Sequence, residues 1–395
     1  MSAGQEGDVD KRQLLGLCAC NAVAFIGVSA LFNLLPLYLP RIGGNAASTG
    51  LVLAVAYLSL ALSALAAGQL AARFQRRTLW LRLGGLAAAP LAWGLRGAAT
   101  VVALALLLAC LWFATGLVAA MVGLLTARSA APGQRGRGFG LMGLSAGVGL
   151  FLGSLAGGPI VERWGFGGLF AALGGGYLLI PLVGLLIREG RAGARDEGRA
   201  VSARVVVANR TFLALFIASV VGYAANIVLG LARPLLMAGL RFEPTAITTA
   251  AAVGSLVTLP LPLIVGRLSD RLGRKPLLLL CFLGPPTGLL VLTVAQRAPH
   301  FWATSILGSV LGLSGVVASA LAVDLFPAGA LDTALSLLGA TTWVGVVIGL
   351  SVGGAAIEAL GIRPVLLLAV LGSLLALGLV ALIADPRPGE SRRAP

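Results

Sequence analysis

Charged residues in this chain fall in clusters. Between them run long uncharged stretches: 42–72, 98–127, 138–161, 164–187, 211–232, 244–266, 276–296, 301–323, 333–357 and 364–384. Each reaches the roughly 20 residues that a helix needs to cross a bilayer. Two further spans are less clean. One lies between Arg12 and Arg41; the other, about 79–95, carries Arg82 one turn inside its inner end, where a long side chain can snorkel to the interface. The pattern predicts twelve spanning helices. Strands do not fit, because lipid-facing barrel strands alternate and rarely exceed about 11 residues. Only a helix satisfies its own backbone over such lengths in hydrocarbon. The first span is expected to stay as a helix, since its apolar stretch is too long for a cleaved leader and no clean A-x-A site follows.

Composition agrees. Of 395 residues, 58% are hydrophobic and 11% charged, with a mean hydropathy of +0.98. A soluble domain carries about 25% charged residues, so lipid must solvate much of this surface. With an inside N-terminus, 22 of the 29 Lys and Arg residues fall in the tails and inner loops. The other 7 (Arg41, Arg96, Arg163, Arg233, Arg241, Arg297 and Arg363) fall outside. That bias obeys the positive-inside rule and predicts an inner-membrane, multi-pass protein with both termini cytoplasmic. The net charge of +15 then reports topology and contact with anionic lipid, not nucleic acid, since the basic residues are scattered over short loops without interleaved aromatics. The dominance of Arg over Lys, with abundant Ala and Gly, hints at a GC-rich bacterial source. Cys18, Cys20, Cys110 and Cys281 sit within apolar spans and His300 at an outer helix end, so no metal site or cofactor is expected.

The chain also repeats itself. A shift of 198 carries Pro36 onto Pro234, Gly68 onto Gly266 and Arg73 onto Arg271. A shift of 196 carries the ladder Gly149, Gly153, Gly157, Gly158 onto Gly345, Gly349, Gly353, Gly354, then Glu162 onto Glu358 and Gly165 onto Gly361. An even number of spans per copy makes the copies parallel repeats. The expected fold is an all-α integral membrane protein, its twelve transmembrane helices arranged as two six-helix pseudo-symmetric bundles. The expected division is an N-tail 1–12, a first bundle 13–187, a cytoplasmic linker 188–209 with a short helix near 200–207, a second bundle 210–384, and a C-tail 385–395. Glycines at four-residue spacing share a helix face and let backbones approach, which matters where burying leucine gains little. The ladders, with Pro159 beside the first, are expected to be packing faces along which one half rocks against the other.

Here the residues suggest a family. Gly266-Arg-Leu-Ser-Asp-Arg-Leu-Gly-Arg-Lys275 resembles the signature loop of the major facilitator superfamily, and Gly68-Gln-Leu-Ala-Ala-Arg-Phe-Gln-Arg-Arg77 is a degenerate first copy. Gly157-Gly-Pro-Ile-Val-Glu-Arg-Trp-Gly165 is similar to the family's fifth-span ending, and Gly158-Pro159 is a partial match to the glycine-proline motif that drug-exporter members carry there. The resemblance covers about residues 12–384 and implies a secondary transporter. It also implies an inner gate latch of Asp270, Arg271, Arg274 and Lys275, around Gly266 and Gly273, with Arg135 or Arg137 opposite. Arg73 and Gly68 would be the first-half equivalents. The chain departs from the family at Ala72, where the loop aspartate belongs, and at Trp112, where proton-driven exporters commonly carry arginine.

The resemblance further places substrate on the first, fourth, seventh and tenth spans. Deep polar or aromatic candidates there and nearby are Asn33, Tyr57, Trp112, Thr115, Tyr223, Asn226, Arg233 and Trp343. Tyr223, Asn226 and Arg233 fall near one helical stripe. Glu162 and Glu358 end symmetric helices and Asp324 ends the tenth span, but no Asp or Glu occupies the middle of any span. Such a lining suits a hydrophobic or amphiphilic solute moved by alternating access, and export is the expected direction. The alternative is a nutrient importer of sugars or organic acids. The expected partners are a small-molecule substrate, the lipid bilayer and a proton or other coupling ion, with the chain working as a monomer. An intramembrane enzyme would need a nucleophile–base or metal constellation, and ATP-driven pumping would need a P-loop; neither is visible. A transport-dead receptor would usually carry a longer signalling tail.

Overall fold

The computed structural model describes residues 11–74, 76–129, 135–189 and 203–383. Within helices the side chains of some residues, Arg135, Arg137, Gly266 and Asp270 among them, are not described. Among the described residues every regular element is helical.

Nine helices among the described residues are long and apolar enough to cross a membrane by length and composition. Twelve spans follow once three details are resolved. The run Arg135–Tyr177 is two spans, because Gly165 (φ 66°, ψ −177°) breaks it. The third span, Arg77–Gly94, is short and carries two arginines. The eighth is built from Pro244–Thr258 and Leu261–Leu272, interrupted before two prolines. The remaining spans are Lys11–Tyr38, Ala46–Phe74, Val101–Ser129, Arg210–Gly239, Arg274–Thr293, the broken tenth span, Ala328–Leu360 and Ile362–Ala381. The tenth runs as Ala298–Ser309, a 3₁₀ turn Val310–Leu313, then Ser314–Leu325. Ala203–Val207 is a short helix at the end of the expected linker.

The break at Gly165 has a counterpart. Gly361 (φ 83°, ψ 168°) ends the eleventh span, and 196 residues separate the two. This region of backbone space is essentially closed to residues with a Cβ. The duplicated glycines therefore turn the chain tightly from the fifth span to the sixth and from the eleventh to the twelfth.

The chain divides into two compact units. One comprises Met1–Gly44, Val55–Arg195 and Phe242–Ala252; the other comprises Asn45–Ala54, Asp196–Arg241 and Val253–Pro395. The boundaries fall inside the second and eighth spans. In the first unit Gly149 and Gly153 lie against the carbonyls of Ala22 and Ile26, and Gly157 lies against Ala30 and Leu34. In the second unit Gly345, Gly349 and Gly353 lie likewise against Val220, Ala224 and Val228. The ladders thus pack the fifth span on the first and the eleventh on the seventh. This corrects the expected sliding face between halves. Only the last glycine of each ladder meets a span from the other half of the sequence: Gly158 on Thr245 and Thr248, and Gly354 on Ala46 and Gly50. The reason is geometric, since a helix of 3.6 residues per turn drifts slowly round its axis along a four-residue ladder.

Large apolar side chains point two ways. Phe212, Phe282, Leu311 and Val317 form part of a buried core in the second unit, whereas Leu106 and Leu371 are each 63% exposed. Exposed leucine on a spanning helix is what a lipid solvent permits.

Candidate functional site

In the first unit the expected cavity residues separate into two groups. Asn33 is buried and bridges helices: its Nδ2 donates to Ser29 O at 2.8 Å and reaches Ser154 Oγ at 3.5 Å. Ser29 and Ser154 hydrogen-bond each other at 2.6 Å. Asn21 does the same about three turns nearer the start of the first span, donating to Met142 O and Ser145 Oγ. These bonds stitch the glycine-lined seam between first and fifth spans, as amides do in lipid. Thr115 donates its hydroxyl back to Leu111 O and Trp112 O. The second group is aromatic. The Tyr57 ring meets Trp112 edge-on, with centroids 4.7 Å apart at 90°. It also meets Phe32 at 6.0 Å and 77°. Trp112 is fully buried, and its indole N–H has no hydrogen-bond partner among the described residues.

The second unit holds a polar ladder between the seventh and tenth spans. Tyr223 Oη and Ser314 Oγ lie 3.5 Å apart. Asn226 Oδ1 is buried with no hydrogen-bond partner among the described residues and faces Gly308, where a methyl group would come within 3.2 Å of it. Arg233 is buried, and one terminal N–H donates to Ser305 Oγ at 2.6 Å. The seventh-span stripe of Tyr223, Asn226 and Arg233 therefore meets Ser314, Gly308 and Ser305 in reverse chain order. The 3₁₀ turn at Val310–Leu313 sits within this stretch. Such a turn in mid-helix retargets backbone hydrogen bonds and often marks function. Trp343 lies half-buried in the eleventh span.

At the ends carrying the basic loops, the two motif copies differ. In the second, Gly273 adopts φ 90° and ψ 164° between the eighth and ninth spans. Arg274 Nε then pairs with Asp324 Oδ2 at 3.0 Å, and another guanidinium N–H donates to Ser269 Oγ at 2.8 Å. Arg271 is exposed and Lys275 half-buried. In the first copy, Arg73 lies over the Phe74 ring at 5.4 Å. Gly68 has open space where a side chain would be. Glu189 accepts from the backbone N–H and hydroxyl of Thr78, at 2.7 and 3.0 Å, and reaches Arg77 at 3.9 Å. Asp270, Gly266, Arg135 and Arg137, the other parts of the expected latch, have side chains outside the described residues. Arg82 Nε donates to Gly184 O at 2.9 Å, satisfying a carbonyl at the end of the sixth span.

The sequence profile of the Major Facilitator Superfamily matches residues 17–225 and again 211–395. The chain belongs to the Major Facilitator Superfamily. It is a multi-pass membrane transporter, not an enzyme. Solved structures of the family share the fold. The chain superposes on a mutant of the nucleoside transporter NupG with a TM-score of 0.79, at 13% identity, covering 93% of this chain and 99% of that one. A bacterial homolog of the human lysosomal transporter Spinster, inward-facing and unoccupied, gives 0.75 at 15% identity over 95% and 97%. A peptide transporter in complex with alafosfalin gives 0.74 at 15% identity over 94% of each chain. A 91-residue stretch is 33% identical to the class H tetracycline resistance protein of Pasteurella multocida. That stretch spans 23% of this chain and 23% of the relative.

For a Major Facilitator Superfamily transporter, sequence reasoning missed the tenth-span partners Ser305, Ser314 and Gly308, and Glu189 beside the first motif copy. Small hydroxylated residues in an apolar run give little signal until their neighbours are known. Among the described residues no three His, Cys, Asp or Glu side chains gather as metal ligands.

Proposed function

We propose that this transporter moves a small hydrophobic or amphiphilic solute by alternating access, most directly as an exporter, with both termini cytoplasmic. The orientation follows from the basic-residue bias. The exporter reading draws on the partial Gly158-Pro159 motif and on the 91-residue similarity to a tetracycline resistance protein. Asn226 carries the solute assignment. A buried carbonyl oxygen without a donor is costly, so the solute supplies one. The apolar residues around the ladder take its hydrophobic body, as in other small-molecule sites. Tyr223, Ser314 and the Arg233–Ser305 pair complete the recognition face. In the first unit Trp112 offers a buried donor of its own.

The test is a thermal-shift titration of purified protein with neutral and amphiphilic compounds, tetracycline among them. A ligand that raises the unfolding temperature should need about tenfold more concentration against Asn226→Leu, the loss expected for one buried hydrogen bond of about 1.4 kcal/mol. Equal half-saturation in both proteins would remove Asn226 from the site. Cellular accumulation of the same ligand, with and without a protonophore, gives direction and coupling.

A nutrient importer is the second reading, and Arg233 is the observation that favours it. A buried guanidinium within a span suits a carboxylated solute. Tight binding of an organic acid that is lost in Arg233→Gln would establish this reading over the first. We also propose that Asp270 with Arg135 or Arg137 completes the inner latch that the motif implies, and that the protein works as a monomer.

A further inference from the structure

Two glutamates in symmetric positions reach the starts of helices far away in sequence. Glu162, at the end of the fifth span, accepts the backbone N–H of Thr245 through Oε1 at 2.7 Å. Glu358, at the end of the eleventh, accepts the backbone N–H of Ala46 through Oε2 at 3.0 Å. A helix start leaves several N–H groups without intrahelical partners and carries the positive end of the dipole. Neither the second nor the eighth span supplies an acid in its own first turn. Asn45 already serves Ser48 N, so Glu358 takes an earlier N–H of the same helix. One turn before each glutamate, the last ladder glycine touches the same target helix: Gly158 against Thr245 and Thr248, and Gly354 against Ala46 and Gly50. Each set lies inside a single compact unit.

The duplication explains the pairing. The 196-residue shift that carries Gly158 and Glu162 onto Gly354 and Glu358 works alongside the 198-residue shift that relates Gly50 to position 248. Both seams have one recipe: a close backbone approach at glycine, then one carboxylate on a helix start. Close packing of small residues in lipid gains dispersion but little hydrophobic energy. A seam of this kind is held by few strong bonds and can part.

We propose that Glu162 and Glu358 are a matched pair of positioning residues, latches that hold the starts of the eighth and second spans in one phase of the transport cycle and release them in the other. The proposal rests on the alternating-access reading above, but not on any solute. Charge-assisted bonds from a carboxylate to backbone N–H groups are the stronger kind. Glutamine keeps the shape and an acceptor while removing the charge.

The test uses the full chain in intact cells, with Cys18, Cys20, Cys110 and Cys281 replaced by alanine and single reporter cysteines labelled by a membrane-impermeant maleimide. Thr248→Cys, at the residue Gly158 touches, and Thr49→Cys, next to the Gly50 that Gly354 touches, are the two reporters, and both residues are buried. Ser336→Cys reports on the exposed inner half of the eleventh span and is labelled in inside-out vesicles. Glu162→Gln should raise labelling at position 248, and Glu358→Gln at position 49, by about twofold to fivefold each. The double variant should exceed either, while labelling at position 336 falls. Unchanged labelling at both seams would overturn the latches. A rise at all three positions would overturn them too, because it signals loosened structure and not a shift between phases. If ligand binding ignores Asn226 while the seams respond as stated, the solute assignment fails and the latches stand.

Discussion

The turn at Gly68–Arg77 and the turn at Gly266–Lys275 descend from one design, yet they hold their cations differently. In the second copy Arg274 meets Asp324 from the C-terminal end of the tenth span, beside Ser269. In the first copy Arg77, one residue further along the motif, faces Glu189 from the end of the sixth span, and that acid also takes the backbone N–H of Thr78. The ladder seams behave the opposite way: Gly153 on Ile26 and Gly349 on Ala224 are the same contact made twice. Backbone against backbone tolerates no substitution, so duplication preserved it. The cations, Arg77 buried and Arg274 half-buried, need only some partner of opposite sign, and the two copies found different ones.

That contrast can be broken in order of effect. The largest loss is expected at the seams. Gly153→Val and Gly349→Val each push a side chain into a carbonyl that cannot move, and each should cost about 3 kcal/mol or more. Detergent-solubilised protein would show this as aggregation on gel filtration or a steep fall in unfolding temperature. A mild effect in one half alone would mean that the seams are not equivalent. Next comes Gly273→Ala, which forces a Cβ into the strained backbone region at φ 90°, at about 1–3 kcal/mol. Smallest are the charge pairs. Asp324→Asn and Glu189→Gln remove partly exposed partners and should each cost about 1 kcal/mol or less, read as small shifts of the unfolding midpoint in low salt. Should Glu189→Gln prove the costlier, its bond to the Thr78 N–H is the reason, since that bond to a helix start persists where an ion pair is screened.

The spans were legible because a helix in lipid needs an unbroken apolar run and the charges fall only between such runs. The glycine turns at 165 and 361 were legible as a repeat, although their positive φ was not. Three features stayed hidden for physical reasons. The break in the eighth span falls at Pro260 and the tenth span holds a 3₁₀ turn at Val310–Leu313, and hydrophobic periodicity registers neither. The partners of Arg274, Arg77 and Arg82 lie 50, 112 and 102 residues away in the chain. Pairs of that kind depend on packing that no local pattern encodes. For the candidate site the seventh-span stripe was readable from spacing. Which of its members point at the tenth span was not, and Asn33 and Thr115 proved to bond within their own seam or helix.

The most direct test is flux. Purified protein in proteoliposomes should carry the amphiphile that best raises its unfolding temperature, with saturation at a concentration near that of the thermal shift. Asn226→Leu should lose most of that flux while keeping its own unfolding temperature. Flux that is absent for every stabilising compound, or identical in the two proteins, would contradict the account.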